Sequence, residues 1–386
     1  MSEKYLHGRK RRRKRESLGV AVASGLLPWK GDTVADVIRK IVFLVSMIVL
    51  VTASIVIIKF YFGRHAEDNY AGYHNINMYN DNTATVTFYN GMVSGKGISN
   101  PAVSSDEGYE VEILERYHEL LKINPETIGY ILIDPYIDYP VVQSQGDKEN
   151  DYYLKRNFYD RPTENGTIFA DKYGAFTPDS RPHNILLHGH NLRTKNQFQP
   201  LMNYRDSMRT NGWDFLRANP IIRFDTLYEP GFYKIFAVYQ TNVDSVYGDY
   251  FDYWRRPYFY NEDDFYAYVV EALDRSHYHT GIDLRYGDEL LTLSTCDEAF
   301  LDNLRLVIVA RRVRISESLE MDLDAFVNNR ENSGRTADRL MRYKMFDGFY
   351  KSLNSGRGWA GRSWPLSWVE GLTQEWLDNY DKRSEG

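Results

Sequence analysis

Cysteine is almost absent from this chain, because Cys296 is the only one among 386 residues. A lone thiol forms no internal disulfide, so it is a buried inert side chain, half of an intermolecular link, or a free reactive group. The sequence also has no internal repeat, no GxGxxG or other phosphate-binding loop, and no His and Cys group at zinc-ligand spacing. These absences argue against nucleotide-binding and zinc-binding proteins and leave the thiol as the group to explain.

Charge is missing from one segment. Residues 41–58 (IVFLVSMIVLVTASIVII) hold no charged residue, and Lys59 is the one charge between positions 41 and 62. About 20 apolar residues in a helix cross a bilayer, so residues 41–62 are predicted to form a transmembrane helix. A cleaved signal peptide is disfavoured because the stretch is long, begins forty residues in and precedes no small-residue cleavage site. A buried core helix remains as the alternative.

The charges around that segment differ in sign. Residues 1–40 carry eleven Lys and Arg against four Asp and Glu, including RKRRRKR at 9–15. Residues 63–386 carry an excess of Asp and Glu, so the whole chain has a formal net charge of −6. The positive-inside rule places the basic segment, residues 1–40, in the cytoplasm and the acidic remainder outside a single-pass cell membrane protein. Nucleic-acid binding is the alternative for the basic block, but topology and anionic headgroups explain it, so no nucleic-acid partner is expected.

Two regions flank the central part of residues 63–386. Residues 63–105 are rich in Asn, Gly, Ser and Tyr and are predicted to form an extracellular stalk. Residues 315–386 form a C-terminal extension of unknown role, with a helix predicted over 336–353. Four of the seven Trp lie there, at 359, 364, 368 and 376, and packing is favoured over ligand binding for them.

The central part combines two predicted helices with many short strands. Ser and Asp signals at 104–106 and apolar residues at helical spacing predict a helix that ends before Pro125. From Ile128 to Arg314, about eight short β-branched and aromatic runs are bounded by Gly, Pro, Asp or Asn, which favours a closed β-barrel. A second helix is predicted at 261–276, with acidic residues in its first turn. The predicted class is mainly β, a closed barrel with an N-terminal and an inserted helix.

Three strand-end patterns carry groups suited to acyl transfer. They are HGHN at 188–191, LTLSTC at 291–296 and NLRLVIVARR at 303–312, which contains Arg305. A nearby His or Arg favours the thiolate form of a cysteine, a His can protonate a leaving amine, and a guanidinium can hold an oxyanion. Each group also has a simpler explanation: His190 could brace a turn, Arg305 could pair with Asp302, and Cys296 could be inert. Their combination on an exported barrel favours a catalytic site.

These motifs resemble those of the sortases, the membrane-anchored cysteine transpeptidases of Gram-positive bacteria, and class B in particular. TLSTC, followed by RLVI and preceded by HGHN, carries the resemblance, and residues 124–171 are similar to the N-terminal barrel region of that class. The helix at 261–276 suits the class B insertion between late strands. The resemblance covers residues 106–314, the expected catalytic domain, and not the stalk or the C-terminal extension.

The resemblance implies roles for seven residues. Cys296 would be the nucleophile, His190 the general acid and base, and Arg305 the residue that positions substrate and stabilises the oxyanion. His190 is preferred to His188 because the family's histidine follows the glycine of this turn. Substrate contacts would be Asn150, Leu154, Ser294 and Asp297, the last standing where the family also has Glu. Residues 240–260 would form a wall of the groove.

The resemblance also implies a reaction. Cys296 would attack the Thr carbonyl of a C-terminal sorting signal, NPxTx-like rather than LPxTG, on an exported protein, and an amine of a peptidoglycan precursor or a pilin would resolve the thioester. No cofactor or metal is required, since the thioester retains the energy of the broken peptide bond.

Two other functions remain open. Another exported cysteine enzyme, such as an L,D-transpeptidase or a papain-like hydrolase, would also use Cys and His, but STCDEAF contains neither family's cysteine motif. A non-catalytic membrane-anchored surface binding protein would use its Tyr- and Trp-rich surface and would tolerate Cys296→Ala.

Overall fold

The computed structural model describes residues 25–68, 81–89, 92–94, 109–177, 180–205, 211–243, 251–297, 304–329 and 362–384. The chain divides into two compact units, Met1–Asn69 and Tyr70–Gly386.

The N-terminal unit contains one long helix, α1 (Val34–Asp68). The Thr33 hydroxyl accepts a hydrogen bond from the backbone N–H of Asp36 at 3.3 Å, which caps the helix and explains why it begins before the apolar run. Its first 25 residues, Val34–Ile58, are long and apolar enough to cross a membrane. The helix therefore includes the predicted span and continues past it.

The second unit begins with a three-stranded antiparallel sheet of β1 (Thr83–Tyr89), β2 (Met92–Ser94) and β3 (Tyr109–Leu114), in the order β2-β1-β3. The helix predicted before Pro125 is wrong over β3, because Tyr109, Val111 and Ile113 alternate with polar residues and pair with β1. Helix follows only in a 3₁₀ turn, Glu115–Tyr117, and in α2 (His118–Ile123). Residue 106, the expected boundary of the catalytic domain, lies outside the described residues.

Eight strands then close the predicted barrel, which is confirmed. In chain order the elements are β4 (Thr127–Ile133), β5 (Ile137–Gln143), a 3₁₀ turn (Tyr152–Lys155), β6 (Phe169–Ala170), β7 (Asn184–His188), a 3₁₀ turn (Gln199–Tyr204), α3 (Gly212–Ala218), β8 (Ile221–Thr226), β9 (Phe232–Asn242), α4 (Glu262–Arg275), β10 (Tyr278–His279), β11 (Leu290–Cys296) and β12 (Leu304–Arg312). The barrel order is β11-β12-β9-β8-β4-β5-β6-β7, and parallel pairing of β7 with β11 closes it.

Both faces of β11 and β12 are buried. Leu291 and Ile308 belong to one hydrophobic cluster, whereas Leu290 and Val307 belong to a second cluster that includes Phe265 of α4. The Tyr268 hydroxyl of α4 also hydrogen-bonds the Thr292 hydroxyl at 2.8 Å. We call the side of β11 and β12 that carries Leu290 and Val307 the α4 face. The helix predicted at 261–276 is therefore confirmed, and its Asn261 cap accepts from the N–H of Asp264 at 2.9 Å.

The last described part of the C-terminal extension, residues 362–384, packs on α4. Beyond β13 (Val327–Asn328), it comprises a 3₁₀ turn (Leu366–Trp368) and α5 (Gln374–Ser384). Trp364 is buried in the second cluster, and its indole N–H donates to Asp274 of α4 at 2.8 Å. The helix predicted over 336–353 and Trp359 lie outside the described residues.

Candidate active site

Strand register brings the three predicted catalytic side chains together. Cys296 at the end of β11 lies opposite Arg305 near the start of β12, and Ser294 lies beside His188 at the end of β7. Because side chains alternate along a strand, Ser294, Cys296 and Arg305 share the α4 face with Leu290 and Val307. Helix α4 covers Leu290 and Thr292, but the ends of β7, β11 and β12 extend beyond these contacts and form the floor of a cleft of about 260 Å³.

The turn after β7 fixes the position of His190. A Cβ atom on Gly189 would lie 2.7 Å from the Phe198 ring, so only glycine permits this close approach. The turn is tied to β11 because the Thr295 hydroxyl donates to the Gly189 carbonyl at 2.8 Å and the Gly189 N–H donates to the Ser294 carbonyl at 3.3 Å. His190 is therefore held beside the end of β11.

A backbone carbonyl orients the His190 ring. Its Nε2 lies 2.8 Å from the carbonyl oxygen of Leu154, and a carbonyl only accepts hydrogen bonds, so Nε2 carries a proton in this pairing. Nδ1 is then the nitrogen left to exchange a proton in the cleft. Leu154, predicted as a substrate contact, thus has a second role through its main chain.

The thiol and the guanidinium lie at the floor of the same cleft. Cys296 is half-buried, and its carbonyl accepts a hydrogen bond from the Asn191 amide at 3.0 Å. Arg305 donates to the carbonyl of Leu304 at 3.1 Å and lines the cleft with Cys296 and His190. A thiol, an imidazole and a guanidinium around one cleft are the groups that acyl transfer through a thioester requires.

Three of the four predicted substrate contacts also line the cleft, namely Asn150, Leu154 and Ser294. Asp297 does not. Its side chain is fully buried and is bound by Arg205 at 3.0 Å and by Gln240, so the placement at a substrate contact is not seen. The chain turns inward after Cys296, and alternation directs the next side chain away from the α4 face.

The predicted wall between residues 240 and 260 is present in its described parts, where Val243, Tyr253 and Trp254 line the cleft. The Tyr253 hydroxyl lies 2.7 Å from the Ser294 hydroxyl. Burial raises the pKa of Tyr253 to about 12, against the lowering effect of Ser294 and Arg305, so this phenol stays protonated at neutral pH. A wall from residues 240–260 was expected from the sequence, but not which of these residues would line the cleft.

Two further observations limit the choice of site. A larger depression of about 550 Å³, lined by Arg181 and Glu229 among others, contains no Cys or His side chain and offers no nucleophile comparable to Cys296. Among the described residues, no group of three or more His, Cys, Asp or Glu is placed to hold a metal ion. The cleft at Cys296 is therefore the candidate site.

A closed barrel with a cysteine, a histidine and an arginine around one cleft defines a cysteine acyl-transfer enzyme. Sortase B of Listeria monocytogenes is 32% identical over 207 residues, which cover 52% of this chain and 76% of the relative. Sortase B of Staphylococcus aureus is 27% identical over 210 residues, covering 54% of this chain and 79% of the relative. The chain belongs to the sortase B family and is a cysteine transpeptidase.

Solved structures of the same family are also similar. A Staphylococcus aureus sortase B–substrate complex is 27% identical, covers 53% of this chain and 87% of its own, and superposes with a TM-score of 0.44. Clostridium perfringens sortase B is 30% identical, covers 51% of this chain and 98% of its own, with a TM-score of 0.43. No protein-family model matches the chain.

Proposed function

We propose that this transpeptidase cleaves a C-terminal sorting signal of an exported protein at the Thr carbonyl, holds the acyl group as a thioester on Cys296, and transfers it to an amine. The observation that carries the proposal is the convergence of His190, Cys296 and Arg305 on one cleft. Membership of the sortase B family supplies the reaction class.

In the first step the thiol proton of Cys296 passes to Nδ1 of His190, and the resulting thiolate attacks the Thr carbonyl carbon of the signal. Arg305, opposite Cys296 in the strand register, stabilises the negative charge that develops on the carbonyl oxygen. His190, whose ring is fixed by the Leu154 carbonyl, gives a proton from Nδ1 to the departing amine as the C–N bond breaks. The products are the thioester and the released C-terminal fragment.

In the second step a primary amine of a peptidoglycan precursor or a pilin attacks the thioester carbonyl. The C–S bond breaks, the Cys296 thiolate leaves and an amide bond forms, while the amine loses a proton to a base in the cleft. The thioester retains the free energy of the broken peptide bond and is consumed when the new amide bond forms. The proposed reaction therefore needs no cofactor or metal.

The cleft would bind the signal as an extended peptide between Asn150 and Leu154 on one side and the wall of Val243, Tyr253 and Trp254 on the other. An NPxTx-like signal is favoured over LPxTG because of the similarity to sortase B proteins.

The location follows from the N-terminal segments. Helix α1 carries the 25-residue candidate span Val34–Ile58, and the basic block at 9–15 precedes it. Under the positive-inside rule, the N-terminus lies in the cytoplasm and the catalytic unit outside a single-pass cell membrane. In this arrangement the enzyme meets its substrates after export.

The test uses the full-length chain in detergent micelles and its Cys296→Ala variant, each mixed separately with an NPxTx and an LPxTG peptide. Intact-protein mass spectrometry measures the acyl adduct. We expect an adduct from the NPxTx peptide on the wild-type chain and none on Cys296→Ala. An adduct from LPxTG alone would overturn the signal assignment, and an adduct on Cys296→Ala would overturn the nucleophile. A wild-type chain without an adduct from either peptide would contradict the proposed function.

A further inference from the structure

A second histidine lines the cleft beside the candidate catalytic one. His188 is the last residue of β7, and its side chain remains 24% exposed. His190 follows two residues later, in the turn after the strand, and both histidines line the cleft. His188 pairs in register with Ser294, two residues before Cys296. The cleft therefore carries a second histidine beside the strand of the nucleophile.

Unlike His190, His188 has a carboxylate partner. Its Nε2 lies 3.3 Å from Oδ2 of Asp171, whose side chain is only 7% exposed. The Phe169 ring stacks on the imidazole, with centroids 5.2 Å apart and an interplanar angle of 29°. These contacts fix the ring and leave Nδ1 as the nitrogen for a molecule in the cleft. The anionic Asp171 carboxylate thus faces the His188 ring, whereas the uncharged Leu154 carbonyl faces the His190 ring.

The charges of the cleft differ from one side to the other. Arg305 supplies a positive charge near Cys296, where a carbonyl oxygen becomes negative during acyl transfer. Asp171 behind His188, and Asp151 on the cleft rim, supply negative charge on the histidine side. An acceptor amine is a cation before it reacts, with a pKa of about 10 for a lysine-type amine. The Asp171 side therefore suits the acceptor and the Arg305 side suits the acyl group.

We propose that His188, held by Asp171, is the general base for the acceptor amine, a proposal that rests on the proposed transpeptidase function. The cationic amine first gives one proton to Nδ1 of His188, and the neutral amine nitrogen then attacks the thioester carbonyl. The C–S bond breaks, the Cys296 thiolate leaves, the nitrogen gives its second proton to Nδ1 of His190, and the amide forms. The imidazolium on His188 is stabilised by Asp171 and then releases its proton to solvent. Asp171 acts through His188 and is a positioning residue.

The test separates the two half-reactions. Full-length wild type, His188→Gln and Asp171→Asn are acylated in detergent micelles with the signal peptide that labels wild type. The acyl-enzyme is then treated with Nα-acetyl-lysine amide, a cationic amine, or with hydroxylamine, which is uncharged at neutral pH and needs no base to become nucleophilic. His118→Gln, on α2 and outside the cleft, is the matched control. Quenched-flow mass spectrometry measures acylation and decay of the adduct.

We expect acylation of His188→Gln within about twofold of wild type, and aminolysis by the lysine amide slower by roughly 10²-fold, the usual contribution of a general base. Hydroxylamine should react with the variant and with wild type at similar rates. Asp171→Asn should show a smaller loss in the same direction, and His118→Gln none.

Three results would overturn the proposal: undiminished aminolysis by the lysine amide in His188→Gln, an equal loss with both nucleophiles, or a parallel loss of acylation. The second and third would indicate a structural role. Because the aminolysis rates are compared only after the wild-type chain has formed an acyl-enzyme, failure of the inference is distinct from failure of the proposed function, in which no acyl-enzyme forms.

Discussion

Cys296 and Arg305 lie directly opposite each other on adjacent antiparallel strands, β11 and β12. Paired residues on neighbouring strands project to the same side of a sheet, with Cβ atoms about 5 Å apart. The same sheet therefore carries the guanidinium and the nucleophile. Strand register, rather than a loop, sets the distance between the Arg305 guanidinium and the Cys296 sulfur.

Arg305→Lys is expected to impair catalysis although it keeps the charge. A lysine lacks the planar set of donors that can bind an oxyanion at two points, so kcat for acylation should fall roughly 10²-fold, the usual effect of removing such a donor. Single-turnover mass spectrometry measures the rate. Arg193→Lys, on the loop after β7 and outside the cleft, is the control and should retain wild-type kcat. An unchanged kcat in Arg305→Lys would show that any positive charge suffices.

Gly166→Ala is expected to disturb His190 without touching it. A Cβ atom at this position would lie 2.5 Å from the carbonyl oxygen of Leu154, the oxygen that holds His190 Nε2. Gly146 has nearly the same φ, +60° against +61°, but a Cβ atom there would meet nothing within 4 Å, so Gly146→Ala is the matched control. Both variants carry a backbone strain of about 1–2 kcal/mol.

Only Gly166→Ala should slow acylation, by at least about tenfold, since misplacing a catalytic group by about 1 Å has effects of this order or larger. The measurement compares acylation rates at a temperature where circular dichroism shows both variants to be folded. Equal rates in the two variants would mean that the Leu154 carbonyl does not control His190.

Substitution of Asp297 should lower stability, whereas substitution of Asn150 should weaken binding of the peptide. Asp297→Asn removes the charge that Arg205 binds in a buried pair, so the free energy of unfolding should fall by about 3 kcal/mol. Asn150→Ala, on the cleft, should change stability by less than about 1 kcal/mol but raise the KM for the peptide. Denaturant unfolding and peptide titration distinguish the two. A raised KM with full stability in Asp297→Asn would restore the predicted substrate contact.

The C-terminal extension should stabilise α4. Trp364→Ala removes a buried indole and its hydrogen bond to Asp274, and the expected loss is about 3–5 kcal/mol. Trp376→Ala, at a partly exposed position whose indole donates to Asp263, should lose about 1 kcal/mol. Thermal unfolding checks both values. Faster acylation in Trp364→Ala at full stability would instead show that the extension restricts access to the cleft.

The same extension should make stability depend on pH through His279. Burial lowers the pKa of this histidine from 6.5 to about 4, and its Nε2 lies 3.0 Å from the Ser363 hydroxyl. The unfolded chain binds the proton first, so this contribution is complete above pH 6.5 and is lost as the pH falls from 6.5 towards 4. The loss is about 2–3 kcal/mol.

His279→Gln should therefore show a smaller decrease in unfolding free energy over that pH range than wild type. Denaturant titrations of both chains at a series of pH values measure the difference. Identical slopes in wild type and His279→Gln would exclude His279 as the titrating group.

Much of the fold was predictable because its signals are local. Alternating β-branched and aromatic runs predicted the barrel strands, and an acidic first turn with an apolar face predicted the helix that is α4. The region around β3 was mispredicted because the choice between helix and strand depends on pairing with β1, which begins 26 residues earlier at Thr83. Intrinsic preference is weak compared with such tertiary contacts.

The sequence by itself indicated the candidate membrane span and the strand-end motifs, because composition and spacing within short segments carry them, and the resemblance of those motifs to the sortases singled out His190, Cys296 and Arg305. Only the tertiary structure decided which groups surround them. The Leu154 carbonyl lies 36 residues from His190, the Asp171 carboxylate 17 from His188, and the Tyr253 hydroxyl 41 from Ser294. The same closure buried Asp297 against Arg205, 92 residues away. Hydrogen-bond partners and burial depend on strand register and barrel closure, which bring distant segments together.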